Sequence, residues 1–489
     1  MSTTAATGFC RVTVVAPDSR IDVALPEDIA VADVYPEILR LTGQTQPAGA
    51  PTGYHLVRRD GTVLDGARTL AAQQVLDGEL LSLRPFAESL PPAVFDDVSD
   101  AVASAVTRDR HLWSDDLLRG AGLVGGVLLL VLMGFVLWYA DPVDHVMHGL
   151  PGIIAGSAGL LLTAFAGVRA RVYSDRSSAV ALGLGALPLL LIAGSGIIGP
   201  DHGDGPGKLQ FLLGCVTVLV ASVTLVALTP SGDAPFVAAT FLAATGTLAT
   251  FVAILTESSA TRTAAVCAPV AIGLVAFLPS LSARFARLPI GYASPRSATD
   301  DFGAEPNTAP EARPVDAERI AAQARRGHEM LLGLVGGCAA VVVGSAAVLG
   351  FSHSVYGQLL ALTSGLAMLL RARLFRYTSQ VACVLVAGIA AIALLVVGMS
   401  LNPPGDLLYE FVRYGDRGSL DIRTIWLSAA VAAGAALITA IGLIIPKKGL
   451  SPFWGRTLDL AEGAVLLSLV PLCLAVLDVF NQARSLTSG

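Results

Sequence analysis

Eleven apolar runs, each near 20 residues long, constrain what the chain can fold into from residue 117 onward. An α-helix of about 20 residues crosses a hydrocarbon core of about 30 Å. Because lipid offers the backbone no hydrogen-bond partners, these runs must be helices. The predicted spans are residues 117–140, 149–168, 179–199, 209–228, 235–256, 263–283, 330–350, 354–370, 379–400, 425–445 and 458–479.

The scarcity of charged residues indicates a membrane protein of the mostly α class. Only 14% of residues are charged and the mean hydropathy is +0.67, whereas soluble domains carry roughly 25% charged residues. The net charge of −6 is small and dispersed, so it gives no reason to expect nucleic acid or an acidic partner. No signal peptide is expected, because the first apolar stretch begins only after residue 115.

The six cysteines lie far apart in the sequence, and no C-x-x-C pair occurs. Five of them fall inside apolar runs, which favours small buried hydrophobic residues over a metal site or disulfides. They are Cys10, Cys215, Cys267, Cys338, Cys383 and Cys473.

Residues 1–88 are predicted to form a compact ubiquitin-like (β-grasp) α/β domain. Period-2 alternation marks strands and helical spacing marks helices. The predicted order is a strand at Val12, a strand at Ile21, a helix over Val31–Leu41, a hairpin of Tyr54–Arg59 and Thr62–Leu64 around an Asp-Gly turn, a short helix over Leu70–Leu76 and a strand over Leu80–Phe86. This order of elements is that of a β-grasp fold.

A β-grasp domain can be a conjugation tag, an enzyme fragment or a docking module. The tag is excluded because the chain continues through Arg84 and Pro85 instead of ending in a free di-glycine. We favour a docking module, and a folded cap without a partner is the alternative.

A connecting helix is predicted over residues 89–116. Val94, Val98, Val102 and Val106 recur at i, i+4 on one face, with charged residues on the others. The apolar face needs a surface on the β-grasp domain or on a partner, and a solvated linker helix is the alternative.

Arginine placement predicts the orientation in the inner membrane. With a cytoplasmic N-terminus, the inside segments carry 19 Arg and Lys residues and the outside segments carry 6. Cytoplasmic loops are enriched in these residues. The sequence therefore predicts a cytoplasmic N-terminus and a periplasmic C-terminus.

A long cytoplasmic loop, residues 284–329, divides the predicted spans into six in residues 117–283 and five in residues 330–489. Its first half is rich in Pro, Ala, Ser and charge and has no apolar period, whereas Asp316–Met330 has helical spacing. Loops of this length are usually functional or disordered. We favour a partner-binding strap over a plain spacer.

The motifs of catalysis and cofactor binding are missing from the sequence. The span interiors hold almost no ionisable residue, although proton and ion paths require them. The stretch Gly203–Lys208 has the wrong spacing for a phosphate loop, and no H-E-x-x-H occurs. Three prolines inside spans, Pro188, Pro269 and Pro471, indicate either simple kinks or a backbone-lined site. The sequence predicts no enzyme, no cofactor and no metal.

Three G-x-x-x-G pairs are the candidate helix-packing residues. Such pairs let two helices approach closely inside a membrane. Each pair serves either packing within the chain or a contact between subunits. The pairs are Gly122 with Gly126, Gly152 with Gly156, and Gly333 with Gly337.

The chain resembles the EccD family of type VII (ESX) secretion systems. The resemblance rests on Phe9–Val14, on Leu80–Arg84, and on the arrangement of a β-grasp domain, a connecting helix, eleven spans and a long loop between spans six and seven. It implies a structural membrane component whose partners are EccB, the ATPase EccC, EccE and a second EccD copy. The family's pairs form a barrel-like assembly that faces lipid.

We therefore expect a non-catalytic scaffold subunit of a secretion complex, and a stand-alone permease with a regulatory N-terminal domain is the alternative. Co-purification with an ATPase separates the two. Basic residues at the predicted cytoplasmic face are candidate contacts for partners or anionic lipid: Arg169, Arg171, Arg176, Arg325, Arg326, Arg371, Arg373 and Arg376.

Overall fold

The computed structural model divides into two compact units, Met1–Trp113 and Ser114–Gly489. It describes residues 8–16, 19–43, 54–85, 114–200, 205–229, 233–287, 317–448 and 451–487. Nearly all of the predicted connecting helix, and residues 288–316 of the predicted loop, lie outside these residues.

The N-terminal unit is a four-stranded mixed sheet with one helix. Its elements are β1 (Phe9–Val15), β2 (Arg20–Pro26), α1 (Val31–Thr42), β3 (Tyr54–Arg58), a single 3₁₀ turn (Ala71–Gln73) and β4 (Glu79–Pro85). The strand order is β2-β1-β4-β3. The central pair β1 and β4 is parallel and both outer pairs are antiparallel. This is the predicted β-grasp arrangement.

The core of this unit lies between the sheet and α1. Val14, Leu56 and Leu81 point from the sheet, and Ile38 from the helix; none of these side chains is exposed. Alternation along each strand places them on one face, as period 2 requires. The Tyr35 hydroxyl accepts a hydrogen bond from the Leu56 N–H at 3.0 Å and so ties α1 to β3.

The predicted hairpin and second helix are shorter than expected. Gly61 has a φ of +88° at the turn, but the predicted return strand Thr62–Leu64 forms only a single bridge between Val57 and Val63. The chain then turns away at Asp65, whose carboxylate accepts from the Ala67 N–H at 3.0 Å.

Fifteen helices are described, and α2 to α15 form the second unit. They are α2 (Asp115–Trp138), α3 (Leu150–Arg171), α4 (Arg176–Ser195), α5 (Lys208–Leu228), α6 (Ala234–Leu255), α7 (Ala260–Val275), α8 (Leu278–Phe285), α9 (Ala317–Gly350), α10 (Val355–Arg371), α11 (Thr378–Leu401), α12 (Gly405–Tyr414), α13 (Gly418–Lys448), α14 (Pro452–Val476) and α15 (Val479–Thr487).

Ten of the described helices are long and apolar enough to cross a membrane. The pair α7 and α8 makes an eleventh crossing if it is one span, bent by 67°. This agrees with the predicted number of about eleven.

The prolines predicted inside spans lie in helices that continue past them, and whether they kink those helices or line a site stays a prediction. Pro188, Pro269 and Pro471 lie inside the continuous helices α4, α7 and α14. The bend between α7 and α8 falls just before Pro279, in the first turn of α8. A proline there suits a helix start, because it lacks the N–H that would continue the preceding helix.

The centre of the second unit is built around α9 and α4. Helix α9 packs on α6, α7, α10 and α11, and α4 packs on α2, α3 and α5. At the crossing of α9 and α11 the backbones touch, since a Cβ on Gly398 would lie 2.6 Å from the Gly350 carbonyl carbon. Close backbone approach of this kind is how small residues hold helices together in lipid.

Helix α9 has 34 residues, about 51 Å at 1.5 Å per residue, which exceeds the ~30 Å of a hydrocarbon core. Its first turns therefore extend beyond the membrane. Residues 317–330, at the end of the predicted loop, are part of this helix, in line with the helical spacing of Asp316–Met330.

Candidate functional site

Three apolar helices are almost bare within the described chain. In the most apolar 18-residue stretch of each, none of α13, 6% of α14 and 11% of α2 is buried, against 56% of α4 and 50% of α9. Helices α2 and α14 each pack one edge against the bundle, α2 on α4 and α14 on α10, whereas α13 contributes no residue to the core of the described chain. The remaining faces of the three helices are available to lipid or to another membrane protein.

Helix α13 has a middle of very small side chains, the run Ser428–Ala436, which is Ser, Ala and Gly except for Val431. A Cβ on Gly434 would meet no atom within 4 Å. At one end of the helix, the Arg423 guanidinium donates to the carbonyl oxygen of Met399 on α11. A cleft of about 370 Å³ separates the two helices farther along, where Val431 lines it from the α13 side. Helix α13 is thus held at one end and offers a smooth surface for a neighbouring helix.

Two of the predicted glycine pairs pack within the chain. A Cβ on Gly156 would lie 3.4 Å from that of Ala193 on α4, and a Cβ on Gly152 would meet Met147, just before its own helix, and Gly196, just after α4. Gly333 and Gly337 face α6, where their Cβ atoms would come within 3.0 Å of side-chain atoms.

The third pair has no neighbour in the described chain. A Cβ on Gly122 or Gly126, both on α2, would meet nothing within 4 Å. The bare stretch of α2 thus carries a small-residue face of its own.

A basic cleft of about 1260 Å³ lies where α2 and α4 begin and α3 ends. Arg119, Arg169 and Arg176 line it together with Asp175. The Asp175 carboxylate pairs with Arg119, and with Arg169 at 2.7 Å. It also accepts from the Ser178 N–H at 3.2 Å and so caps α4.

The electrostatics of the cleft centre on Asp175. Hydrogen bonds from Ser178, then from Ser177, and the positive charge of Arg119 lower the pKa of Asp175 to about 2. The carboxylate therefore stays ionised. It holds two arginines from neighbouring helices at one helix end.

A second set of charges joins α9 to this end of the bundle. Arg176 pairs with Glu329 on α9 at 3.0 Å. Asp233, just before α6, is only 4% exposed. Burial raises its pKa, and the charge of Arg326 partly opposes that rise. The predicted contact residues Arg325 and Arg326 are exposed on α9.

The remaining predicted arginines lie in different settings. Arg171 donates to the Ala227 carbonyl oxygen at 2.6 Å, and Arg373 pairs with Asp459 on α14. Arg376 is exposed. Arg371 is only 8% exposed, so it does not fit the predicted role of a surface contact.

The carboxylates that pair with these arginines differ in how visible they are in the sequence. Asp175 carries a local signal, because an aspartate three residues before Ser178 at the start of an apolar run is a typical helix cap. Glu329 carries none, since its partner Arg176 is distant in sequence. Among the described residues, no three His, Cys, Asp or Glu side chains group as metal ligands.

Comparison with known proteins identifies both units. Residues 118–486 match the model of the family described as EccD-like transmembrane domain. Residues 9–83 match the family described as WXG100 protein secretion system (Wss), protein YukD.

Two proteins of Mycobacterium tuberculosis are among the relatives. The chain is 27% identical over 497 residues to the ESX-4 secretion system protein eccD4, with 98% of both chains covered. It is 29% identical over 250 residues to the ESX-3 secretion system protein EccD3, covering 48% of this chain and 50% of the relative.

A solved structure shares the fold. The match is to the structure of protomer 1 of the ESX-3 core complex, with a TM-score of 0.58 and 19% identity, over 97% of this chain and 100% of that one. The EccD-like match covers well over half of the residues, beginning at the first membrane helix and ending in α15. The chain therefore belongs to the EccD family.

Proposed function

We propose that this chain is a non-catalytic structural subunit of an inner-membrane type VII (ESX) secretion complex, where it scaffolds the ATPase and other membrane components. The observation that carries the proposal is α13. It is an apolar helix rich in small residues whose most apolar stretch is buried nowhere against the described residues, and such a helix is suited to pack against another subunit. Membership of the EccD family supports the same function.

The proposed partners are EccB, the ATPase EccC, EccE and a second copy of this chain. The bare helices α13 and α2 are the proposed surfaces for partners within the membrane. The β-grasp unit is the proposed docking module for cytoplasmic partners.

The proposed orientation has the N-terminus in the cytoplasm and the C-terminus on the periplasmic side. Its support is the gathering of Arg119, Arg169 and Arg176 in one cleft at a single end of the bundle, since arginines concentrate on the cytoplasmic side. Exposed Arg325, Arg326 and Arg376 are the proposed contacts there for partners or anionic lipid. Neutralising them and measuring assembly and orientation tests this role, and unchanged results would remove it.

Purification of the tagged full-length chain in a mild detergent, followed by mass spectrometry, tests the proposed function. We expect an ATPase and single-span membrane proteins to co-elute. Recovery of the chain alone, together with solute uptake by liposomes that contain only this chain, would instead establish the permease.

Two variants of α13 test whether partners bind to the exposed face of this helix. Ala433 and Leu437 lie on the side of α13 away from its cleft with α11, as the helical period requires. Ala433→Phe is expected to reduce the co-eluting partners while the chain stays folded. Leu437→Met conserves volume on the same face and is the matched control.

A further inference from the structure

Two adjoining apolar grooves lie among α5, α6, α7 and α9. Their volumes are about 510 Å³ and 400 Å³. Ala249, Ala253 and Cys267 line both of them, so the two grooves are neighbouring slots of one hollow. This hollow shares none of its lining residues with the basic cleft.

Small residues create the hollow. Gly246 and Ala249 on α6, Ala264 on α7 and Gly344 on α9 line the first groove, and a Cβ on Gly344 would meet nothing within 4 Å. Larger apolar side chains of α6 and α7 complete the second groove. Apolar cavities exclude water and accept apolar groups. The hollow therefore suits hydrocarbon chains.

The length of each groove matches one leaflet of a bilayer. The second groove follows α7 from Arg262 to Leu274, about 18 Å at 1.5 Å per residue. The first follows α6 from Leu242 to Ala253, about 17 Å by the same rise. Half of a hydrocarbon core is about 15 Å. Each slot thus accommodates one acyl chain from one leaflet.

Each groove has a cation at its mouth, and both mouths are at the same end of the helices. Lys208 lines the first groove and Arg262 lines the second. The Lys208 ammonium donates to the Ala253 carbonyl oxygen at 3.1 Å, which leaves two of its N–H groups for another acceptor. Ser258 lines both grooves between these cations.

The mouths carry two cations, Lys208 and Arg262, against the exposed carboxylate of Glu257, which directly precedes Ser258, so a net positive charge remains for an anion. Neither Lys208 nor Arg262 makes an ion pair with a described residue. On its other side, Arg262 lines a separate cleft that also contains Asp478. A phosphate at Ser258 would lie beside both cations and at the start of α7, where backbone N–H groups also favour negative charge.

We propose that the paired grooves bind one two-chain anionic phospholipid, with one acyl chain in each slot and the phosphate at Ser258 between Lys208 and Arg262. The lipid fills a hollow that the small residues of α6, α7 and α9 leave open. It comes from the leaflet on the side of Lys208, which is the periplasmic side in the orientation proposed above.

Lipid retention measured by native mass spectrometry tests the site. The full-length protein is purified in detergent doped with phosphatidylglycerol and phosphatidylcholine in equal amounts. We expect the wild-type protein to retain one phosphatidylglycerol in preference to phosphatidylcholine. Lys208→Gln combined with Arg262→Gln is expected to lower this retention by roughly 25-fold, about fivefold for each cation removed.

Two further variants complete the experiment. Arg413→Gln removes an exposed arginine from α12, outside the grooves, and should leave retention unchanged. Ala249→Phe fills both slots and should abolish retention of either lipid, with unchanged thermal melting showing that the fold is intact.

Three outcomes would overturn the site. The first is that the wild-type protein retains the two lipids equally. The second is that the Lys208→Gln and Arg262→Gln double variant retains as much phosphatidylglycerol as the wild type. The third is that Ala249→Phe releases a polypeptide and not a lipid. The same spectra report co-eluting subunits, so loss of the lipid is distinguishable from failure of the scaffold function.

Discussion

Helices α9 and α13 are both long, and they are equally apolar over their best 18-residue stretch. Half of that stretch in α9 is buried against neighbours, and none of it in α13. Apolarity places a helix in lipid, but it does not decide whether the helix has a protein partner. The difference between them indicates which helix stabilises the subunit and which is free to join it to others.

The largest expected change in stability comes from removing a buried aromatic ring from the packed helices. Phe236 on α6 is fully buried, so Phe236→Ala should destabilise the subunit by about 3–5 kcal/mol. Trp426 on α13 is 72% exposed, and Trp426→Ala should cost less than about 0.5 kcal/mol. Thermal melting of the two purified variants checks both. Equal losses would show that α13 is packed within the subunit.

Adding a single methyl group should lower stability at a packed glycine and raise it at an exposed glycine. Gly398→Ala forces a Cβ against the Gly350 backbone and should destabilise by about 1–3 kcal/mol. Gly126→Ala on α2 meets open space and should stabilise the isolated chain by up to about 1 kcal/mol through helix propensity. Melting in detergent measures both. A destabilised Gly126→Ala chain would place a partner helix against α2 even in the purified subunit.

Features that depend on local sequence could be predicted, and features that depend on tertiary packing could not. Length and apolarity are local, so the spans could be predicted, and so could the alternating strands that bury Val14 and Leu81. The two faces of Gly122 and Gly337 look alike in sequence, since both belong to G-x-x-x-G pairs. Which of them meets another helix depends on tertiary packing, and only the structure separates them.

Only those parts of the candidate site that depend on local sequence could be predicted. Arginines concentrate at one membrane face as a property of composition, and the gathering of Arg119, Arg169 and Arg176 at one end of the bundle follows from alternating helices. The buried setting of Arg371 depends on how α10 packs, which its apolar pattern does not encode. The return strand after Gly61 is shorter than predicted, with one bridge at Val63, because the chain turns at Asp65.

Replacing Asp175 should have an intermediate effect on stability, and that effect should depend on pH. Its folded pKa of about 2 is below its usual value of 3.8, so its contribution to stability is complete above that value and is lost as the pH falls toward 2. Asp175→Asn should cost about 1 kcal/mol at neutral pH, because asparagine keeps the cap but loses both arginine pairs. It should also flatten the acid limb of a melting-temperature profile. An unchanged acid limb would assign acid sensitivity to other carboxylates.

The smallest effect concerns the ion pair that joins the two packed groups around α4 and α9. Arg176 and Glu329 lie 3.0 Å apart, with side chains 55% and 22% exposed. Water and salt screen a pair this exposed, so its coupling energy should be about 0.2–1 kcal/mol. A double-mutant cycle with Arg176→Gln and Glu329→Gln measures it by melting at low and high salt.

Arg325→Gln is the control for that cycle, because Arg325 is exposed on the same helix and makes no ion pair with a described residue. Coupling above about 2 kcal/mol would contradict the screened pair. It would mean that water is excluded from the ion pair between Arg176 and Glu329 in the purified subunit. The join between α4 and α9 would then depend on buried charge as well as on the small-residue packing that holds α9 to α6 and α11. Coupling within the expected range leaves that packing as the main reason why α9 lies in the core and α13 does not.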